Sequence, residues 1–269
     1  MRISTCTMTD FQLTPIGTSP AWYNPGEPTS GFLLEADGFR ALIDCGAGVI
    51  ARYLDLYGVD RPIDAVVLTH VHADHCIDLV PLTYGLSTGS LQHWNPQLWL
   101  PPGARERLGR LLSTWDQDDT FLTDNYDVRE YDIVSGFDVG PFAFSAMRVP
   151  HYIECFALRA DHGDFSFGYT ADLGPRSDIA TFMSGVDVLL AEAAMSEDRD
   201  LSAEDRGHIT AREAGEIAQT AGAHALLLTH IPQENGFDRA LEEARAAFSG
   251  NVALARSGET CAIAARLRV

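Results

Sequence analysis

Residues 65–76 read AVVLTHVHADHC, an apolar run leading directly into His70, His72, Asp74 and His75. Three of the nine histidines of the 269-residue chain fall within these six positions, 70–75. The short, β-branched AVVL segment reads as a buried strand. Side chains two apart on extended backbone share a face, so His70 and His72 can grip one ion. A turn into a following helix swings Asp74 and His75 toward a second point. Imidazole and carboxylate are the usual donors for zinc and similar divalent cations. Four such donors this close suit two ions better than one, and each set then needs further donors from elsewhere in the chain.

Other apolar segments supply them. ALLLTH (225–230) repeats the form of AVVLTH (65–70) and ends in His230. FSAMRVPH (144–151) ends in His151, FSFGYTAD (165–172) ends in Asp172, and DVLLAEA (187–193) carries Glu192 near its end. In α/β sheets ligands gather outside the carboxyl ends of strands. Strands that deliver His or acid residues there predict one convergent site, with His151, Asp172 and His230 completing it. Asp172 has two oxygens and can serve both ions.

The remaining pattern is layered α/β packing without a linker, repeat array or low-complexity tract. Residues 31–44 predict a hairpin turning at Asp37-Gly38, and residues 155–170 a second one turning at His162-Gly163-Asp164. A third strand pair is expected over 129–149. Helical patterns cover 48–57, 104–115, 210–221 and 237–248, the third opening with a capping-box arrangement of Thr210 and Glu213. Gly46-Ala47-Gly48 reads as a tight turn beside the site.

Composition narrows the partners. The formal net charge is −19, and all 19 basic residues are Arg. Such a chain is a poor scaffold for extended nucleic acid, which needs basic stripes to displace counterions. The five cysteines are scattered, which suits reduced thiols in a cytoplasmic protein rather than a disulfide frame. The start, MRISTCTMTD, lacks the apolar run of a signal peptide, and no stretch reaches the ~18 apolar residues of a membrane span. A soluble, cytoplasmic enzyme with a small-molecule substrate is the expectation.

THVHADH (69–75) resembles the signature of the metallo-β-lactamase fold hydrolases. The resemblance runs from Gly17 to about Glu259, and it implies an α/β (α+β) fold, a four-layered αββα sandwich, spanning 1–269 as a single domain. It also implies that His70, His72 and His151 hold one metal, that Asp74, His75 and His230 hold the other, and that Asp172 bridges them. All seven positions are filled, which argues for a catalytic member. The donors suit two zinc ions, with manganese or iron compatible.

GHITAREAGEIAQTAGAHALLLTHI (207–231) and LLAEAA (189–194) resemble the corresponding parts of ribonuclease Z. That resemblance implies that His208 stands beside a scissile phosphate with Glu192 hydrogen-bonded to it. Asp74, His208 and Glu192 are then the catalytic residues. A metal-bridging hydroxide would attack phosphorus, and protonated His208 would give its proton to the departing oxygen. His208 also reads as an ordinary helix-start residue, and Glu192 as a generic strand-end carboxylate. The long basic arm with which ribonuclease Z grips transfer RNA has no room between His151 and Asp172, and the loop 17–31 carries no Lys or Arg. DHCIDLVPL (74–82) and LLLTHIPQENGFDRALEEARAAFSG (226–250) are more similar to compact members of the same branch, some linked to cyclic-nucleotide phosphodiesterase activity.

A phosphodiesterase on a small phosphodiester is therefore the expectation. A thioesterase or lactonase, a tRNA 3′-processing endoribonuclease and a metal-dependent scaffold are the alternatives. Relatives of ribonuclease Z often dimerise, which implies a homodimer. Cys76 reads as packing behind the site, and Trp94, Trp115 and Phe121 as aromatics that either stack on a substrate base or pack the interior.

Overall fold

The computed structural model describes residues 11–115, 120–175, 178–196, 202 and 205–263. Its strands form two seven-stranded sheets. The first holds β1 (Gln12–Gly17), β2 (Gly31–Ala36), β3 (Phe39–Ile43), β4 (Ala65–Val67), β5 (Gln97–Leu100) and β6 (Asp127–Glu130). The second holds β7 (Phe137–Val139), β8 (Phe142–Val149), β9 (Cys155–His162), β10 (Phe165–Tyr169), β11 (Val188–Glu192), β12 (Ala225–Thr229) and β13 (Asn251–Leu254). A last strand, β14 (Cys261–Ala262), pairs with β1 and completes the first sheet. The helices are α1 (Val49–Tyr57), α2 (Ala73–Cys76), α3 (Leu79–Ser87), α4 (Ala104–Ser113), α5 (Thr120–Thr123), α6 (Ile179–Phe182), α7 (Ala211–Ala221) and α8 (Phe237–Ala247).

Alternation along the strands explains the layering. Leu33, Leu42, Val66 and Leu98 point out of the first sheet and share one core with Val49 and Tyr53 of α1, Leu82 of α3 and Leu108 of α4. Their neighbours Leu34, Ile43 and Val67 point the other way, into a second core. That core runs through the second sheet to Ala214 and Ala218 of α7 and Ala240 and Ala244 of α8. Helices, sheet, sheet and helices stack as the expected αββα sandwich.

Each sheet is antiparallel on one side and parallel on the other. Strands β3, β4, β5 and β6 run parallel, as do β10, β11, β12 and β13. Strand β8 is antiparallel to β9, which is antiparallel to β10, so β8 and β10 point the same way. The carboxyl ends of β3, β4, β8, β10, β11 and β12 therefore open toward one edge of the sandwich.

The hairpin at 31–44 turns at Asp37 and Gly38, with φ of 51° and 79°. Both residues lie in the left-handed region that a two-residue turn of this kind requires. The hairpin at 155–170 turns on Gly163-Asp164 alone, because His162 still pairs with Phe165 in the ladder. The strand pair expected over 129–149 forms within that span as β7 and β8, but its bounds are corrected: residues 127–130 join β5 in the first sheet. Helices α1, α4, α7 and α8 lie within the expected spans, and the capping box of Thr210 and Glu213 is formed. Among the described residues no helix is long and apolar enough to cross a membrane.

Candidate metal centre

The candidate ligands follow the strand ends directly. Asp44 comes one residue after β3, His70 three after β4, His151 two after β8, Asp172 three after β10 and His230 one after β12, while Glu192 closes β11. Short helix α2 carries Asp74 and His75 back toward the same point. The turn at Gly46 makes this possible. Its backbone runs so close to Asp74 that a Cβ there would lie 1.9 Å from the Asp74 carbonyl oxygen. Backbone bonds from Ser30 to Asp74 and from Cys45 to His75 tie the same turn to α2.

Among the described residues three donor groups result, and all share Asp172. His70, His72, His151 and Asp172 form the first; Asp74, His75, Asp172 and His230 form the second; Asp172, Glu192 and His208 form the third, with all donor atoms of a group within 4.8 Å of one another. In the first, His72 Nδ1 lies 3.2 Å from His70 Nε2 and 3.0 Å from His151 Nε2. In the second, Asp172 Oδ2 lies 3.4 Å from His75 Nε2 and 3.3 Å from His230 Nε2, and Asp74 Oδ2 lies 3.3 Å from His75 Nε2. Zinc–ligand bonds of about 2.0–2.1 Å in a tetrahedron give edges of roughly 3.3 Å. These separations are of that size, while Asp172 Oδ2 stands 3.9 Å from both His70 Nε2 and His151 Nε2.

Asp74 Oδ2, His75 Nε2 and Asp172 Oδ1 are buried and have no hydrogen-bond partner. Stranded buried polar atoms are costly, and a divalent cation between Asp74 Oδ2 and His75 Nε2 would satisfy both of these. Burial disfavours charge on His70, His72 and His151 and lowers their pKa values, leaving neutral imidazoles ready to donate. Burial also opposes charge on His75, yet Asp172, Asp44 and Asp74 around it reverse the direction and raise its pKa. That demand for positive charge is one a cation meets. Asp74 is held down to about 2: burial works against its ionisation, but His75 and His230 beside it prevail.

The far side of each ring is also fixed. His75 Nδ1 donates to Asp44 Oδ2 at 2.8 Å. His70 Nδ1 lies 3.0 Å from Thr69 Oγ1, whose hydroxyl donates to the same Asp44 carboxylate. His151 Nδ1 donates to the Gly207 carbonyl at 2.8 Å, and His230 Nδ1 meets Ser30 Oγ at 3.2 Å. Such outer bonds set which nitrogen faces the ion and raise its basicity. Asp44, Ala171 and His230 adopt left-handed backbone, with φ of 59°, 52° and 58°. Outside glycine this strain is uncommon, and here it clusters at the site.

His208 and Glu192 complete the arrangement, as their sequence context predicts. Glu192 is fully buried; its Oε1 accepts from Leu173 N and its Oε2 from Ala194 N, each at 2.9 Å. His208 Nδ1 reaches Glu192 Oε1 at 2.9 Å, and its ring sits 5.1 Å from that of His151 and 5.7 Å from that of His230. Burial opposes charge on His208, but Glu192 outweighs it and lifts the pKa to about 9.

Sequence reasoning missed Asp44. It orients His75 directly and His70 through Thr69, and its position one residue past β3 is the same strand-end signal that marks the others. Cys76 is buried, and burial pushes its thiol up to about 12, as suits packing rather than ligation. Trp94 and Phe121 are packing residues as well. Trp94 is buried edge-on to Tyr53 with its Nε1 bonded to Val59 O at 2.8 Å, and Phe121 rests against Tyr84. Trp115 is exposed beyond α4.

A metal centre at the carboxyl edge of an αββα sandwich defines a metallo-hydrolase of the metallo-β-lactamase fold, and residues 39–231 match the family model described as beta-lactamase superfamily domain. The chain belongs to that superfamily. It is 31% identical over 252 residues to a probable metallo-hydrolase, YhfI, of Bacillus subtilis (strain 168), covering 92% of this chain and 98% of the relative. The crystal structure of YhfI superposes with a TM-score of 0.83 at 29% identity, covering 93% of this chain and 98% of that one. A ribonuclease Z of Haloarcula marismortui is 26% identical over 307 residues, covering 92% of this chain and 95% of the relative. The crystal structure of a diphosphatase from the PhnP family shares the fold, with a TM-score of 0.73 at 20% identity over 93% of this chain and 97% of that one. The chain is a metal-dependent hydrolase of this fold.

Proposed function

We propose that this chain is a dinuclear, zinc-dependent phosphodiesterase acting on small phosphodiesters. The observation that carries the proposal is His208, held by Glu192 at 2.9 Å within ring contact of His151 and His230. A proton donor fixed beside two cation sites serves a substrate whose leaving oxygen must be protonated, as an alkoxide leaving a phosphodiester must. His70, His72 and His151 would hold one ion, Asp74, His75 and His230 the other, with Asp172 between them. The bound ions would supply an acidified water and positive charge toward the phosphate.

The rest belongs to the side chains. His208 Nδ1–H donates to Glu192 Oε1, which leaves Nε2–H to hand a proton to the departing oxygen. The Glu192 carboxylate beside the ring favours its charged form. Gly207 O does the same orienting work for His151 one residue earlier, so the 207–208 turn serves both the metal centre and the acid. The similarity to ribonuclease Z, a nuclease by name, supports this reading over carbonyl chemistry.

The span between His151 and Asp172 is taken up by the β9–β10 hairpin with its two-residue turn. It offers no arm for a transfer RNA, and with a net charge of −19 this favours small substrates. The test is a substrate panel given to zinc-loaded protein. Hydrolysis of bis(p-nitrophenyl) phosphate is expected. Cleavage of thioesters or lactones with no phosphodiester turned over would overturn the proposal and establish the thioesterase or lactonase alternative.

A further inference from the structure

A groove of ≈480 Å³ opens beside His151, lined among others by Arg107 of α4, Arg148 of β8, Tyr152 and Glu154. It has the size of a small-molecule site, which runs roughly 300–1,000 Å³. It also reverses the local charge. Acids outnumber bases 38 to 19 in this chain, yet here two guanidiniums face one carboxylate. Arg148 lies 3.6 Å from Glu154, with both side chains largely exposed. An exposed pair of that kind contributes little and exchanges readily for a better anion. Phosphate is such an anion, because it takes parallel bonds from a guanidinium fork.

Tyr152 gives the groove an aromatic wall. It is 63% exposed. Its ring contacts His151 at 5.1 Å and His208 at 5.8 Å. It also lies over Gly207, where an added Cβ would come within 2.7 Å of its ring carbons. Glycine at 207 therefore lets a tyrosine sit beside the acid. A pre-placed ring with an open side is a platform on which a planar base stacks at small entropic cost.

We propose that this groove is a nucleotide subsite: Tyr152 stacks on a base, and Arg107 and Arg148 hold a second phosphate of the same substrate. Resting on the phosphodiesterase reading, this narrows the substrate class to nucleotide phosphodiesters that carry a further, terminal phosphate. A cyclic mononucleotide has one phosphate and offers no second one to the arginine groove.

The experiment compares the dinucleotide thymidylyl-thymidine with and without a 5′-terminal phosphate, by turnover and by equilibrium binding to zinc-loaded protein. The phosphorylated form is expected to be preferred by about tenfold or more in kcat/KM and in Kd, the scale of one charge-assisted contact. Arg107→Ala/Arg148→Ala is expected to abolish that preference, and Arg110→Ala on the same helix to keep it. Tyr152→Leu should weaken both dinucleotides alike. Equal affinity for the two forms in the native protein, or a preference that survives the double substitution, would overturn the proposal. A binding preference without turnover would uphold the subsite and overturn the phosphodiesterase reading.

Discussion

The two halves of the metal centre are built from similar ligands but sit in different surroundings. Asp74, His75 and His230 are all buried, whereas His72 and His151 on the other half are only partly so. The buried half carries the carboxylates: Asp74 as a donor, and Asp44 behind His75 at 2.8 Å. The open half is three imidazoles whose pKa values are lowered, and beside it lie His208, Tyr152 and the arginine groove. The difference suggests a division of labour. On the proposed function, the deep half would retain an ion and the shallow half would meet the substrate.

Asp172 is where the halves meet, so its loss has the largest expected effect. Asp172→Ala should lower the metal content of both halves and reduce turnover by more than the roughly 10²–10⁴-fold associated with losing one proton-transfer group. Metal analysis after dialysis, read alongside kcat, checks this. Unchanged metal content would show that the two halves do not share the residue.

His208→Ala comes next. It should cost about 10²–10⁴-fold in kcat with the metal content unchanged. The pH profile gives the sign. The His208 pKa is raised to about 9 from an ordinary ~6.5, so the acid form is present below that value and lost as pH rises through it. Bound cations repel the imidazolium and move the midpoint lower. Activity should therefore fall on the alkaline side at or below pH 9, and the substitution should remove that limb.

Asp44→Asn should separate the halves more finely. It removes the carboxylate that holds His75 and, through Thr69, His70. Outer-shell losses of this kind lower metal affinity about 10–100-fold. Zinc titration should show the larger loss at the buried half. The smallest effect is expected at Thr210→Ala, which removes the cap of α7 just beyond the acid loop and should cost about 1 kcal/mol in a denaturant melt.

Much of this comparison was legible in the sequence, for a physical reason. Residues at strand ends converge because parallel strands share a direction, so AVVLTH, FSAMRVPH, FSFGYTAD and ALLLTH could be assembled without knowing the sheet order. The pattern failed where pairing partners decide the outcome. Residues 127–130 go to the first sheet although the next strand after them starts the second, since a crossover leaves no mark on local periodicity. Helix α3 went unseen because it is apolar on most sides and carries Pro81 and Gly85. Asp44 reads locally as a turn acid, and only the fold shows His75 and Thr69 on its oxygens. Arg107 lies more than forty residues before Arg148 and Tyr152, and no spacing rule joins it to them.

The most direct measurement of the central claim is the metal content of native and His208→Ala protein, read beside their turnover of thymidylyl-thymidine, a diester whose alkoxide leaving group must be protonated. The account predicts two divalent ions per chain in both proteins, with turnover lost only in the variant. One ion per chain in the native protein, or a variant that hydrolyses the diester at the native rate, would contradict it.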